Sequence, residues 1–456
     1  MRRFAFLLCV VFAFAAGGQA TAQGAKDAPA QSAKDAPALA SGAPEHARTR
    51  AILEQAERFI DQGRFDDARI LLDALAREDD YARVYGAFVD ARLEEASGRL
   101  TRARDAYRKI LAARPGLARV QLHLARTLAQ LEDHEGARVH FESVLGAPDI
   151  AAPLADRVRQ DARALEGAKR WSAQGYVTLA PTTNMTSGTS QERVTIGQLD
   201  FTPAKSGQRK SGLGALYGAD LAYAAPLSDD WGWLATLSTL HRDHTHRTFD
   251  DRSVRAASGL RYLLPAGVAT LEMAGQRRWF GGADYLYAFG PQATARLFVG
   301  QRNRLTFSAS AMAQRYDEED YRNGHRLAFN ASFDRFTRQG QFLRLGASVE
   351  RERARNDHLA FHELGGLVGY NLELPMGMTI YPEASYARRD YEGDFPLMSA
   401  PRRDRRFMGS MTFVKKDFTL GGLAPRLQVT YTDNRSNVKL FQYDRLDFNL
   451  TLTRSF

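Results

Sequence analysis

The chain closes on Leu446-Asp447-Phe448-Asn449-Leu450-Thr451-Leu452-Thr453-Arg454-Ser455-Phe456. Leu446, Phe448, Leu450, Leu452 and Phe456 share one face of an extended segment, while Asp447, Asn449, Thr451, Thr453 and Ser455 share the other. Arg454 interrupts the apolar face near its end. Successive side chains of a strand point to opposite sides, so this alternation marks a strand with apolar surroundings on one side and polar surroundings on the other. The preceding strand reads alike, with Leu427, Val429 and Tyr431 against Gln428 and Thr430. Further back, Leu305, Phe307, Ala309 and Ala311 oppose Thr306, Ser308 and Ser310.

Counting such segments predicts fourteen strands: 173–182, 212–225, 231–244, 252–264, 268–279, 284–298, 304–317, 324–336, 342–354, 358–373, 377–390, 405–418, 425–435 and 444–456. Soluble strands usually run about 5–6 residues. Long strands in an even number fit an antiparallel barrel that crosses a membrane. A soluble two-layer sandwich is the alternative. An export signal, the even count and a final strand ending on an aromatic carboxylate, the usual barrel insertion signal, all weigh against it. With the N-terminal half in the periplasm, inner turns fall at Leu227–Asp230, Pro265–Gly267, Gly300–Asn303, Thr337–Gly340, Pro375–Gly377 and Gly421–Ala424. The outward loops, 183–211 above all, are generally longer and more charged. Trp231, Trp233, Trp279, Phe280, Tyr316 and Tyr381 stand near strand ends and suit interfacial girdles.

Composition alone suggests otherwise. The 456 residues have a mean hydropathy of −0.40 and 25% charged side chains, values of a soluble protein. Alternation resolves the conflict, because averaging a lipid-facing residue with a lumen-facing one gives a soluble-looking mean. Residues 171–456 carry 36 basic and 29 acidic side chains, so the basic excess lies in the barrel.

Residues 43–170 are of another kind. Apolar positions recur at helical spacing, as in Ile52, Ala56, Phe59 and Ile60. Gly63-x-Phe65-x-x-Ala68 returns as Gly98-x-Leu100-x-x-Ala103, and Ala137 and Phe141 follow 34 residues after Ala103 and Tyr107. This period resembles the tetratricopeptide pattern, in which a small residue lets paired helices approach closely. Three helix pairs and a final helix over about 151–170 are expected, with Pro115 as a stop. Their function is either a concave surface for a polypeptide or an α-helical spacer. Charges from Ser41 to Arg170 balance at 22 each, which excludes a nucleic-acid module.

Before this lies an Ala/Pro-rich linker, 23–42, in which Lys26-Asp27-Ala28-Pro29-Ala30 repeats as Lys34-Asp35-Ala36-Pro37-Ala38. Residues 1–22 read as a secretory signal peptide: Arg2 and Arg3, an apolar run from Phe4 to Ala16, and Ala20-Thr21-Ala22 before the cut. It carries the only cysteine, Cys9, so a mature chain would hold no disulfide.

No Gly-rich phosphate loop precedes a helix and no H-E-x-x-H pattern occurs, so no catalytic residues, cofactor or metal centre are expected. His241-Arg242-Asp243-His244-Thr245-His246 places three imidazoles and a carboxylate within six residues, which could bind Zn²⁺ or Cu²⁺. A mobile polar loop is the commoner meaning of such a stretch. Asp317-Glu318-Glu319-Asp320-Tyr321 makes a poor Ca²⁺ loop and a good solvated tip.

Signal, short helical repeat and fourteen-stranded barrel in this order resemble the surface lipoprotein assembly modifier family, the outer-membrane component of the type eleven secretion system. The likeness in residues is in Tyr431-Thr432-Asp433-Asn434-Arg435-Ser436-Asn437, Phe441-Gln442-Tyr443-Asp444-Arg445-Leu446-Asp447, Thr453-Arg454-Ser455-Phe456 and Arg277-Arg278-Trp279-Phe280-Gly281-Gly282. The resemblance implies a translocator in the cell outer membrane. It would move client lipoproteins or soluble secreted proteins from periplasm to surface, without catalysis. Its partners would be the client, a periplasmic chaperone, the barrel assembly machinery and outer-membrane lipid, and the barrel would be monomeric. A diffusion porin whose helical domain docks to a periplasmic partner is the alternative. Asp447, Asn449 and Thr451 are expected to line the lumen or border a seam between first and last strands. Asp433, Asn434, Arg435 and Asn437 are expected to shape the last hairpin or touch a client.

Overall fold

In the computed structural model the described residues are 47–75, 80–114, 117–145, 150–168, 170–205, 207–264, 266–300, 302–338, 341–374, 377–415, 418 and 424–453. The expected signal peptide and linker, Pro115, and the terminal Arg454-Ser455-Phe456 lie outside them.

Among the described residues seven helices come first: α1 (Ala47–Asp61), α2 (Phe65–Asp73), α3 (Asp80–Ala96), α4 (Leu100–Ala113), α5 (Ala118–Gln130), α6 (His134–Leu145) and α7 (Ala152–Ala168). The turns α1–α2, α3–α4 and α5–α6 are the same turn made three times. Gly63, Gly98 and Glu132 each hold a positive φ. Their amides donate to Ile60, Glu95 and Ala129, and the amides one residue on donate to Phe59, Glu94 and Leu128. This is the left-handed helix stop that satisfies otherwise unpaired carbonyls. It reverses the chain so that Ala68, Ala103 and Ala137, each fully buried, face the preceding helix. Leu53, Val89, Tyr107, Leu124, Phe141 and Val158 then join one core running through the stack. Each such side chain contributes roughly 1.5–3 kcal/mol by leaving water.

Fourteen strands form a closed antiparallel barrel. They are β1 (Trp171–Thr182), β4 (Gly212–Pro226), β5 (Trp231–His244), β6 (Asp251–Leu264), β7 (Gly267–Phe280), β8 (Ala283–Val299) and β9 (Asn303–Tyr316), then β10 (Gly324–Arg338), β11 (Gln341–Ala354), β12 (Phe361–Leu374), β13 (Met378–Asp394), β14 (Pro401–Lys415), β15 (Ala424–Ser436) and β16 (Tyr443–Thr453). All fourteen expected strands occur, most within a few residues of their expected ends. The first outward loop holds a short hairpin that the sequence did not announce, β2 (Val194–Ile196) with β3 (Leu199–Phe201).

Apolar side chains point outward around the wall. Leu179, Leu221, Leu237, Leu271, Phe329, Leu345, Leu364, Phe407, Tyr431 and Leu450 are all exposed, as a lipid-facing belt requires. Trp231 and Trp233 join them. Tyr316 and Tyr381 do not. Tyr316 is buried, and register puts both on the lumen side, with Tyr381 bonding Glu383. Strand-end position suggested a girdle, but parity along the strand decides the face.

The lumen wall matches its charges in pairs and triads. Glu363 accepts from Arg389 at 2.7 Å and Arg406 at 2.9 Å, and Arg326 pairs with Glu350 at 2.7 Å. At the outer mouth the loop before β4 folds on itself. Asn184, fully buried, donates to the carbonyls of Gly188 and Asp444. A Cβ on Gly197, which has φ +64°, would meet the Leu397 carbonyl oxygen at 2.2 Å. The loop is thereby held to the start of β16 and packed against the loop that follows β13.

β1 and β16 complete the barrel. Among the described residues their ladder is Thr178↔Thr451, Leu179↔Leu450 and Thr182↔Asp447. Pro181 offers no N–H to it. The Thr178 and Thr451 hydroxyls bond across the seam at 2.7 Å, and the Thr183 amide donates to the Leu446 carbonyl at 3.0 Å.

Candidate functional site at the junction of helices and barrel

The helical stack sits on the inner mouth of the barrel, and the described residues meet there at several places. At the end of α4, the Ala112 carbonyl accepts from the amide of Gly377 in the β12–β13 turn at 3.2 Å. Leu145 of α6 and Ala162 of α7 meet Leu263, Val268 and Phe298 around a small apolar cleft. Between these, Glu142 of α6 reaches Arg304 at the start of β9 and lies 3.9 Å from Arg296 of β8.

The last contact is the electrostatic centre of the junction. Arg304 is only 11% exposed and Glu142 only 15%. Asp334 of β10, 1% exposed, accepts from Arg304 at 2.7 Å and from Arg344 of β11 at 2.7 Å. On the helical side Glu142 also accepts from Arg138, one turn earlier, at 2.6 Å. Two carboxylates thus alternate with arginines from both halves. Each arginine fork offers several donors in a plane, so one guanidinium can hold an acid on either side. The assembly borders a cavity of about 340 Å³ lined by Gln121 and His140 from the helices and by Phe342, Tyr381 and Arg426 from the barrel.

A second polar network crosses the helical stack. Arg119 of α5 donates to Glu57 of α1 at 2.9 Å and to the Tyr85 hydroxyl of α3 at 3.2 Å, and stacks over Phe88. Deeper in, the Glu95 carboxylate accepts from Tyr107 at 2.6 Å and lies 2.9 Å from His123 Nδ1. Burial pushes the Glu95 carboxyl upward, but hydrogen bonds from His123 and Tyr107 outweigh it and hold it below its ordinary value. Burial also holds the His123 imidazole below its usual range, against the pull of Glu95. At neutral pH a neutral imidazole N–H therefore donates to an ionised Glu95.

The residues singled out from sequence are placed as follows. Thr451 faces the lumen and closes the seam, and Asp447 pairs with Arg445. Asn434 donates to the Phe441 carbonyl and Asn437 to the Pro401 carbonyl, while Asp433 holds Arg435, so these residues build the final hairpin. His241 lies on the outer face of β5, stacked on Tyr217, whereas His244 has the opposite parity and His246 falls beyond the strand. Among the described residues no three His, Cys, Asp or Glu side chains gather as a metal site. Asp317 pairs with Arg277 and Glu319 with Arg322, so this acidic tip is bound to arginines. Glu142, Arg304 and Asp334 were missed, because partners 162 residues apart leave no local signature.

A family profile described as surface lipoprotein assembly modifier matches residues 171–456. Curated relatives match most of the chain. Surface lipoprotein assembly modifier 1 of Haemophilus influenzae is 20% identical over 394 residues, covering 85% of this chain and 80% of its own. Surface lipoprotein assembly modifier 1 of Neisseria meningitidis is 22% identical over 400 residues, with 84% and 79% covered. Among solved structures, Pseudomonas putida OprB aligns over 62% of this chain and 93% of its own, with a TM-score of 0.37 at 8% identity.

Proposed function

The chain belongs to the surface lipoprotein assembly modifier family, and from that membership we propose that it translocates client lipoproteins or secreted proteins from the periplasm to the cell surface. It acts as a transport and assembly factor and not as an enzyme. Residues 1–22 are the export signal, 23–42 a linker, 43–170 a tetratricopeptide-like periplasmic repeat, and 171–456 the outer-membrane barrel. The repeat engages the client, or a chaperone that delivers it, and the barrel assembly machinery inserts the barrel.

The seating of the helical stack on the inner mouth carries this reading. A client held by the stack is already at the barrel, so its next step becomes an event within one molecule. The three turns with one backbone geometry and the buried alanines at 68, 103 and 137 support the repeat. Arg119, Glu57 and Tyr85 link three of its helices into one polar surface.

The test is deletion of the gene in cells making a lipoprotein encoded beside it. Surface exposure of that lipoprotein should fall at least tenfold while its total amount stays constant. Unchanged exposure together with a defect in nutrient uptake would make the barrel a porin instead.

A further inference from the structure

β13, β14 and β15 carry Arg388, Arg405 and Arg435, and register sets them directly opposite one another: Arg388↔Arg405 and Arg405↔Arg435. All three share parity with the exposed, lipid-facing Tyr386, Phe407 and Tyr431 of the same strands. The row stands two residues, about 7 Å, beyond the Tyr386–Phe407 pair toward the outer mouth. That is the height at which the apolar belt gives way to the polar zone of the outer leaflet.

Like charges directly opposite on neighbouring strands repel. Two members of the row have half-buried acids beside them. Arg388 holds Asp390 at 2.8 Å, and Arg435, 80% exposed, holds Asp433 at 3.0 Å. Arg405, in the centre, has no ion-pair partner among the described residues. One position along the same strands the arrangement is opposite. Arg389 and Arg406 face the lumen, and Glu363 is set between them. The lumen wall thus sets an acid between its two arginines, whereas the outer wall sets none against Arg405 among the described residues.

We infer that the outward row Arg388–Arg405–Arg435 binds the phosphate groups of phosphorylated glycolipids in the outer leaflet. Guanidinium forks match phosphate oxygens in a bidentate geometry. Three of them about 5 Å apart from strand to strand would grip one such group while the acyl chains lie along Tyr386, Phe407 and Leu364. The inference rests on the barrel's place in the outer membrane and not on the transport reading, so either can fail alone.

The experiment uses the full chain purified in detergent, with lipid retention read by native mass spectrometry. The probes are a diphosphorylated acylated glucosamine disaccharide (lipid A), its phosphate-free counterpart, and inorganic phosphate as competitor. Wild type should retain the phosphorylated probe at least tenfold better than the phosphate-free one. Retention should fall on the order of tenfold in Arg388→Gln/Arg405→Gln/Arg435→Gln. Should that triple variant lose the heat-dependent gel shift of a folded barrel, Arg405→Gln alone reads the same loss at several-fold. Equal retention of the two lipids, or unchanged retention in a folded variant, would overturn the proposal. So would displacement by inorganic phosphate at the concentration of the lipid, which would make the row a site for free anions.

Discussion

Glu132 holds φ at 61° where Gly63 and Gly98 hold 75°, each at the stop of the first helix of a pair. A side chain in that region strains against its own backbone, and glycine does not. No neighbouring atom lies within 4 Å of a Cβ built on Gly63 or Gly98, so the glycines serve backbone conformation and not close packing. Glu132→Gly should therefore stabilise the α5–α6 hairpin by roughly 0.5–1 kcal/mol, and Gly98→Ala should destabilise α3–α4 by about 1 kcal/mol. Amide-exchange protection in the two hairpins would show both changes; equal protection in all three proteins would refute the argument. His123 makes a second prediction at this scale. Its folded value lies below the ordinary 6.5, so the unfolded chain binds the proton first as pH falls. Stability from the neutral imidazole is intact above pH 6.5 and is lost progressively below it. Glu95, also held low, loses its share only further down, below its ordinary 4.5. Exchange protection of α5, corrected for intrinsic rates, should weaken as pH drops from 7 to 5 in wild type and stay flatter in His123→Gln.

Elements were far more legible than their contacts. Period-two alternation gave all fourteen barrel strands, and the facing of the three whose residues were sorted by side, because lipid on one side and water on the other leave each residue little choice. The 34–35-residue period gave the helical hairpins. What escaped has physical reasons. The hairpin β2–β3 has three residues per strand, too few for a pattern to show. Tyr316 and Tyr381 sit near strand ends yet face inward, and an aromatic side chain suits either place. The junction was invisible, since Glu142 and Arg304 satisfy ordinary surface statistics until α6 is laid on β9. It is also the element-scale prediction. Glu142→Gln removes the charge but leaves Arg304 its bonds to Asp334, so the barrel should fold normally. Docking of α6 should weaken by about 1.5–3 kcal/mol, the range for a hydrogen bond to a charged group. A spin-label distance from α6 to β9 should broaden in the variant; an unaltered distribution would assign the docking to the apolar cleft alone.

At the scale of the whole molecule, the ladder between β1 and β16 decides whether the sheet has an edge. Its described pairs include Thr178 and Thr451, whose hydroxyls already touch. Replacing both by cysteine in a chain lacking Cys9 should give a cross-link under oxidising conditions, raising the temperature of the gel shift. A disulfide closing so long a loop stabilises by about 5.5 kcal/mol in the chain-entropy model, an upper bound that strain in the folded state reduces. No cross-link in a folded barrel would mean that the first and last strands stand apart in the membrane.

The same ladder has a consequence in time. Thirteen of the fourteen barrel pairings join strands that follow one another round the wall, so each closes a short loop. The fourteenth joins residues 273 positions apart. Until it forms, the growing wall has two bare rims, each an open invitation to a foreign strand. Long-range pairing is slow because a large loop must close before any bond rewards it. The closing pairing thus carries the largest loop-closure cost of the fourteen, and mutations at Thr178, Pro181 or Thr451 should reveal themselves as stalled assembly well before they alter the finished barrel.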